Sequence, residues 1–421
     1  MNNKPLLVFP VISDVHIGPG DEEEQHTMDV QEPTDIEKYA AALKLLRQLA
    51  PDQDVLVIVG DLTNQGTVPE YNRHMETLRA HKHPDAELLI TIGNHDYWNN
   101  LPVQEAQERF LQMSGMTHLY ERYVIKGYHF IMLATEDGTT HGRYSLDQIE
   151  WLKAQLAQAA QEGPEKPIFV FLHQHIADTV YGSEDWGIQH NKEALYEALR
   201  PFPQVITFSG HSHYPLNDPR SIHQRDFTSV GTGSLRYMEV EQGRIQGVLP
   251  LKGSEFSQGL LVEVYCDKVQ IRRIDFCEQA EIREPWEVSM PFIPSSFTYT
   301  DNRDQNPPVF PTDARLLIQN RDKNASSLTI AWKQAIDDQQ VHHYEIQLLD
   351  DDDQLLQQWT AFSESYRYTM PDPLVITLRD VPDLQIYPTA KLTVRAVDSF
   401  GNKSDEWLTC RVEDGHIRTT G

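Results

Sequence analysis

Oxygen and imidazole donors recur along this chain in short clusters, each placed just past an apolar run. Asp14 and His16 follow the first run, Asp61 the second, and Asn94, His95 and Asp96 the third; His173 closes a later one, and His211 with His213 follows the last. Carboxylate, amide and imidazole groups together are the donors that hold first-row divalent metals, and no thiolate stands among them. A single Asp or His after a strand is ordinarily a cap or turn residue, and a lone His95 would ordinarily be a satisfied loop histidine. Five such clusters at five strand ends point instead to one metal site. Gly60, Gly93 and Gly210 stand beside them, where they let the backbone turn tightly.

The elements that must position these residues follow from periodicity. Leu6 to Ser13, Val55 to Val59, Leu88 to Ile92, His129 to Ala134, Ile168 to Leu172 and Val205 to Ser209 are short, apolar and ended by polar or glycine residues, as buried strands are. Amphipathic stretches lie between them: Asp35 to Leu49 with Thr34 as N-cap, Pro69 to Ala80, Gln104 to Met113, Leu146 to Ala160 and Lys192 to Leu199. Strand and helix in turn predict an α/β layered domain over residues 1–290. Open α/β sheets place their ligand crevice beyond the carboxyl ends of the strands, which is where the donors fall. Residues 291–311 lie in a stretch rich in Pro, Ser, Asn and Asp and read as a linker. Over 312–415 the period changes to two: Leu328, Ile330 and Trp332, then Tyr344, Ile346 and Leu348, then Leu392, Val394 and Ala396 alternate with polar residues, the pattern of a smaller all-β sandwich. The acidic run Asp350 to Asp353 lacks the spacing and glycine of an EF-hand loop and reads as a solvated hairpin tip.

The chain has 421 residues, and 36 basic against 63 acidic side chains leave a net charge of −27. So acidic a body is repelled by nucleic-acid backbones and anionic lipid, so nucleic acid is disfavoured as a partner. No stretch approaches the roughly 20 apolar residues of a membrane span, so no membrane partner is expected. Cys266, Cys277 and Cys410 are odd in number and not in CxxC spacing, which argues against a disulfide framework. A cytoplasmic location is the expectation.

The donor clusters are DVH at Asp14 to His16, GD at Gly60 and Asp61, GNHD at Gly93 to Asp96, His173 within FLHQH, and GHSH at Gly210 to His213. In this order they resemble the calcineurin-like metallophosphoesterase superfamily over roughly the first two thirds of the chain. The segment GRYSLDQIEWLKAQL at Gly142 to Leu156 looks like that of the bacterial branch related to class III cyclic nucleotide phosphodiesterases. The closing run AVDSFGNKS at Ala396 to Ser404, with Trp332 and Tyr344, resembles a fibronectin type III module. The first resemblance implies a four-layer αββα sandwich that hydrolyses small phosphodiesters, cyclic nucleotides above all. Alternatives are a phosphomonoesterase or pyrophosphohydrolase, or a catalytically silent scaffold.

Carried over, the resemblance implies that Asp14, His16, Asp61 and His213 bind one metal ion, and that Asp61, Asn94, His173 and His211 bind a second. The donors suit Mn or Fe first, with Zn or Mg as alternatives. A solvent oxygen between the ions would be the nucleophile. Relatives commonly carry Pro where this chain has His175, so His175 stays an alternative to His173, which sits directly at the strand end. The resemblance makes His95 and Asp96 catalytic: His95 would protonate the leaving oxygen or hold the phosphoryl group, which Asn94 would also contact, and Asp96 would orient and charge the His95 ring. Asn64, Tyr97, Trp98, His190 and Tyr214 could contact a substrate or simply pack, and Arg220, His223 and Arg225 could grip a second anionic group. The C-terminal domain could serve a homo-oligomer.

Overall fold

Alternation of side chains along the first strands decides how the layers stack. In the strand Leu7–Ile12, Leu7, Phe9 and Val11 face one core while Val8 and Ile12 face another; in Val55–Val59, Val55, Val57 and Val59 join the first and Leu56 and Ile58 the second. A strand buried on both faces needs a covering layer on each. The second core is closed by helices, with Tyr39, Ala42, Leu43 and Leu46 of Asp35–Leu49 and Tyr71, Met75 and Leu78 of Val68–His81. The first core is closed by another sheet. Phe130, Phe169, Phe171 and Phe208 face Phe9 across it, with Phe9 ring centroids 5.0 Å from Phe130 and 4.9 Å from Phe169. The opposite faces of those strands, Ile131, Val170 and Val205, pack under helices Leu146–Glu162 and Lys192–Leu199. The order is therefore helix, sheet, sheet, helix.

This computed structural model describes residues 4–19, 34–241, 250–322, 326–384, 386–387 and 389–412. The first sheet runs Leu7–Ile12 beside Val55–Val59 beside Glu87–Thr91, all parallel, and continues on its other side through the antiparallel strands Gln258–Val264 and Lys268–Asp275. The second holds Tyr128–Met132, Ile168–Phe171, Val205–Ser209 and Thr228–Gly231 in parallel, with Glu121–Ile125 and Ile222–Gln224 antiparallel at its edges. Thr34 caps its helix, accepting from the Glu37 N–H while Glu37 accepts from Thr34. No helix among the described residues is long and apolar enough to cross a membrane.

The chain divides into two compact units, Met1–Leu216 with Arg220–Thr300, and Asn217–Pro219 with Asp301–Gly421. Residues 301–311, expected within a linker, belong to the second unit. Val309 exchanges both backbone hydrogen bonds with Ile336 at 2.9 Å, and Phe310 is buried in the β core, so an apolar anchor holds this polar stretch down. The second unit pairs a sheet of Leu317–Asp322, Ser327–Trp332 and Leu374–Leu378 with one of Leu355–Phe362, Val341–Leu349, Lys391–Asp398 and Leu408–Arg411. Its core contains every one of the nine alternating residues named above, with Trp332 edge-on to Tyr344 at 5.0 Å. Residues 413–415 lie outside the described residues. At the acidic tip, Asp350 accepts from the Asp352 and Gln354 N–H groups, the self-contained turn expected there.

One buried group should make the first unit acid-sensitive. His74 is fully buried against the Tyr39 ring at 4.8 Å, neither ring nitrogen has a hydrogen-bond partner, and burial pushes its pKa from 6.5 down to about 3. The unfolded chain therefore binds a proton that the folded one refuses. Stability should fall as pH drops from 6.5 toward 3, by up to about 1.4 kcal/mol per pH unit. His74→Phe should flatten this slope in urea unfolding followed from pH 7 to pH 4. An unchanged slope would assign the acid sensitivity elsewhere.

Candidate active site

Three of the five donor clusters leave their strands on a left-handed backbone, whereas Asn94 opens a right-handed 3-10 turn that carries His95 and Asp96. Asp14, His16, Asp61, His211 and His213 all have positive φ, between 47° and 71°, a region that costs a non-glycine residue on the order of 1 kcal/mol or more. The loops hold one another in this form. Asp14 N–H donates to the Gly60 carbonyl at 3.2 Å, Val15 and His16 donate to that of Asp61 at 2.9 and 3.0 Å, and Gly210 donates to that of His173 at 2.9 Å. Gly60 has φ of 80°, but Gly93 does not need a special φ; it needs the space, because a Cβ there would stand 2.1 Å from Asp61 Oδ1.

These loops bring the expected donors together. One donor atom each from Asp14, His16 and His213 lies within 4.8 Å of the others; the same holds for Asp61, His173 and His211, and for His16, Asp61 and His95. Asp61 Oδ2 is 3.1 Å from His173 Nε2 and 3.6 Å from His16 Nε2, and Asp14 Oδ1 is 3.2 Å from His213 Nε2. Asn94 is buried beside them, its Oδ1 accepting from Gln174 Nε2 at 3.2 Å. His173 Nδ1 donates to the Val59 carbonyl at 2.9 Å, which fixes the ring and aims Nε2 inward. The Nε2 of His211 is buried with no hydrogen-bond partner. Buried imidazole nitrogens aimed at buried carboxylates are what divalent cations require, so these residues fit metal.

His175 stands apart from the cluster. Its Nδ1 and Nε2 each pair with a serine hydroxyl at 2.7 Å, those of Ser209 and Ser212, so no ring nitrogen is left over.

The electrostatics follow from packing charge out of water. Burial, the largest influence, holds His16 and His211 well below the usual histidine range and so neutral. Burial opposes ionisation of Asp61, but the pull of His173, then His95 and His16, holds its carboxyl well below the usual range. Burial likewise opposes charging of His173, yet Asp61 lifts it to about 9. Burial, and then the charge of Asp61, push Asp96 up to about 7.

Asp96 does not touch the His95 ring, contrary to expectation. Its oxygens accept from the Thr63 hydroxyl at 2.7 Å and the Thr63 and Gly93 N–H groups at 3.1 and 3.0 Å, tying the loop after Asp61 to the turn that carries His95. The ring is oriented by Asn64 instead, whose backbone carbonyl accepts from His95 Nδ1 at 3.0 Å, while the His95 N–H donates to Asp61 Oδ1 at 2.9 Å. Trp98, 44% exposed, covers His95 with ring centroids 3.7 Å apart. Tyr97 and Tyr214 are packing residues: both are buried, with hydroxyls donating to the Thr135 carbonyl and to Asp185. His190 is exposed, His223 is buried in a strand, and Arg220 and Arg225 lie over the rings of Tyr181 and Tyr196. Tyr237 was not foreseen, although its ring is 4.4 Å from His213 and 5.9 Å from His16. It follows the last donor cluster in a segment with no strand or helix period, so only its aromatic character could have marked it.

The family model for calcineurin-like phosphoesterases matches residues 8–215. This segment is a calcineurin-like phosphoesterase domain. The chain is 27% identical over 221 residues to a 3′,5′-cyclic adenosine monophosphate phosphodiesterase of Haemophilus influenzae, covering 51% of this chain and 72% of that one. It is 27% identical over 280 residues to a cAMP/cGMP dual specificity phosphodiesterase of Mycobacterium tuberculosis, covering 60% and 82%. A glycerophosphodiester phosphodiesterase of Enterobacter lignolyticus is 27% identical over 178 residues, covering 41% and 61%. The chain is an enzyme, a metal-dependent phosphoric ester hydrolase.

Proposed function

We propose that this hydrolase cleaves small phosphodiesters, cyclic nucleotides first among them, using two divalent ions held around Asp61. The convergence of Asp14, His16 and His213 with Asp61, His173 and His211 in overlapping buried donor groups carries this reading, and Asn94, buried next to His95 in the chain, is added as a ligand by proposal. Asp14, His16 and His213 would hold one ion and Asn94, His173 and His211 the other, with Asp61 serving both. His173 is preferred to His175 because both nitrogens of the latter are engaged by serines. The mixed oxygen and nitrogen set suits Mn or Fe, and also Zn or Mg. Bound there, the ions would polarise the phosphoryl oxygens and acidify a water molecule.

The chain's own groups supply orientation and the proton. His95 donates through Nδ1 to Asn64, so its Nε2 is the atom that can carry a proton to the departing oxygen. Trp98 shields that ring on one side and offers a half-exposed aromatic face to a base or sugar. The net charge of −27 favours small esters that can enter the crevice over long polyanions. Exposed, unpaired thiols at Cys266 and Cys277 agree with a reducing cytoplasm. The three-plus-four strand division of the second unit supports the fibronectin type III-like reading.

Metal analysis of the purified protein should give two transition-metal equivalents. A panel of bis-p-nitrophenyl phosphate, p-nitrophenyl phosphate, 3′,5′- and 2′,3′-cyclic nucleotides and glycerophosphodiesters should show turnover of diesters, with a cyclic nucleotide preferred. Turnover of the monoester alone would sink the phosphodiesterase reading. Preference for the glycerophosphodiester would overturn the choice of cyclic nucleotides.

A further inference from the structure

A second group of donors lies within the C-terminal unit, built from oxygen alone. Asp304 comes from the stretch after Thr300, Asp337 from the turn between strands Ser327–Trp332 and Val341–Leu349, and Asp398 ends the strand Lys391–Asp398. One carboxylate oxygen of each lies within 4.8 Å of the others. Asp304 is 4% exposed and Asp398 2%.

Each Oδ1 is held by the backbone. That of Asp304 accepts from Asn306 N–H at 3.0 Å, that of Asp337 from Gln339 and Gln340 at 2.9 and 2.7 Å, and that of Asp398 from Phe400 and Asn402 at 2.8 Å each. These turns fix three carboxylates in place. Asp398 Oδ2 accepts from the Asn402 side chain at 2.7 Å, whereas the buried Oδ2 atoms of Asp304 and Asp337 have no hydrogen-bond partner. A buried carboxylate oxygen without a donor is costly, and two in one cluster of three acids are costlier still. Burial, then the neighbouring charges of Asp304 and Asp398, push Asp337 up to about 6. Arg303 adjoins the cluster in sequence, with its guanidinium over the Phe400 ring at 4.9 Å.

We infer that Asp304, Asp337 and Asp398 form a calcium site in the C-terminal unit, separate from the transition-metal cluster around Asp61. Calcium takes oxygen ligands in flexible geometry and completes its shell with carbonyls and water, whereas the absence of imidazole and thiolate from the group disfavours softer metals. The cation satisfies the two orphan oxygens and cancels the repulsion among three acids. It also links residue 304 to two turns of the sandwich, so it should stabilise the fold.

The test is calcium titration of the full-length protein, carrying its own transition metals, by calorimetry and thermal unfolding. One equivalent should bind and raise Tm. The double variant Asp304→Asn/Asp337→Asn should lose at least about tenfold in calcium affinity while keeping transition-metal content and esterase activity. If the double variant fails to fold, Asp337→Asn alone, at a half-buried position, should show the same loss. Asp61→Ala should bind calcium as the wild type does. Absence of binding to the wild type, unchanged affinity in the aspartate variants, or loss of binding in Asp61→Ala would overturn the inference.

Discussion

Asp61→Ala should yield a folded protein that retains neither transition metal and hydrolyses no phosphate ester. Asp61 is 1% exposed, with Oδ2 within 3.1 Å of His173 Nε2 and 3.6 Å of His16 Nε2, one histidine from each side of the cluster. Removing it leaves His173, raised to about 9 chiefly by Asp61, without its anion, and leaves His16 without the carboxylate that favours its charged form. Neither half of the cluster then keeps a shared negative group. Turnover should drop by about 10³-fold or more, the scale on which a preorganised charge-stabilising group counts. Elemental analysis of the purified variant, with circular dichroism to confirm folding, is the direct measurement. Retention of two equivalents of metal would show that Asp61 is not shared.

His95→Ala should behave differently: both metals stay and turnover falls. The His95 ring comes near His16 and Asp61, but its Nδ1 is engaged by the Asn64 carbonyl and Trp98 lies tilted against it at 36°. That arrangement suits a proton carrier at the rim better than a ligand. The loss should be about 10²- to 10⁴-fold for esters with poor leaving groups, the range for removing a general acid. It should be much smaller for p-nitrophenyl esters, whose leaving oxygen needs no proton. An equal loss on both substrate types would replace the proton-donor role with one in holding the phosphoryl group, and loss of metal would make His95 a ligand.

Much of this was readable beforehand because burial on both faces writes itself plainly into strands. Val55 to Val59 and Val205 to Ser209 match their expected ends, as do helices Asp35–Leu49 and Lys192–Leu199. The donors were legible because side-chain type and position after a strand together carry the chemistry. What escaped depends on backbone or on distant pairing. Asn64 orients His95 through a carbonyl, a group every residue has, so no side chain announces it. Asp96, adjacent to His95 in sequence, points back to Thr63 and Gly93, a direction that adjacency alone does not give. Phe310 anchors a stretch whose proline and polar content read as connector.

The left-handed backbone at Asp14, His16, Asp61, His211 and His213 restricts how this site can drift in evolution. Asp, Asn and Gly tolerate that conformation, whereas β-branched residues do not. A chain that abandoned hydrolysis would exchange these positions most readily for Asn or Gly. Backbone handedness therefore acts as a filter independent of catalysis. A lapsed descendant would keep the outline of the crevice in its loop geometry well after the last donor was gone.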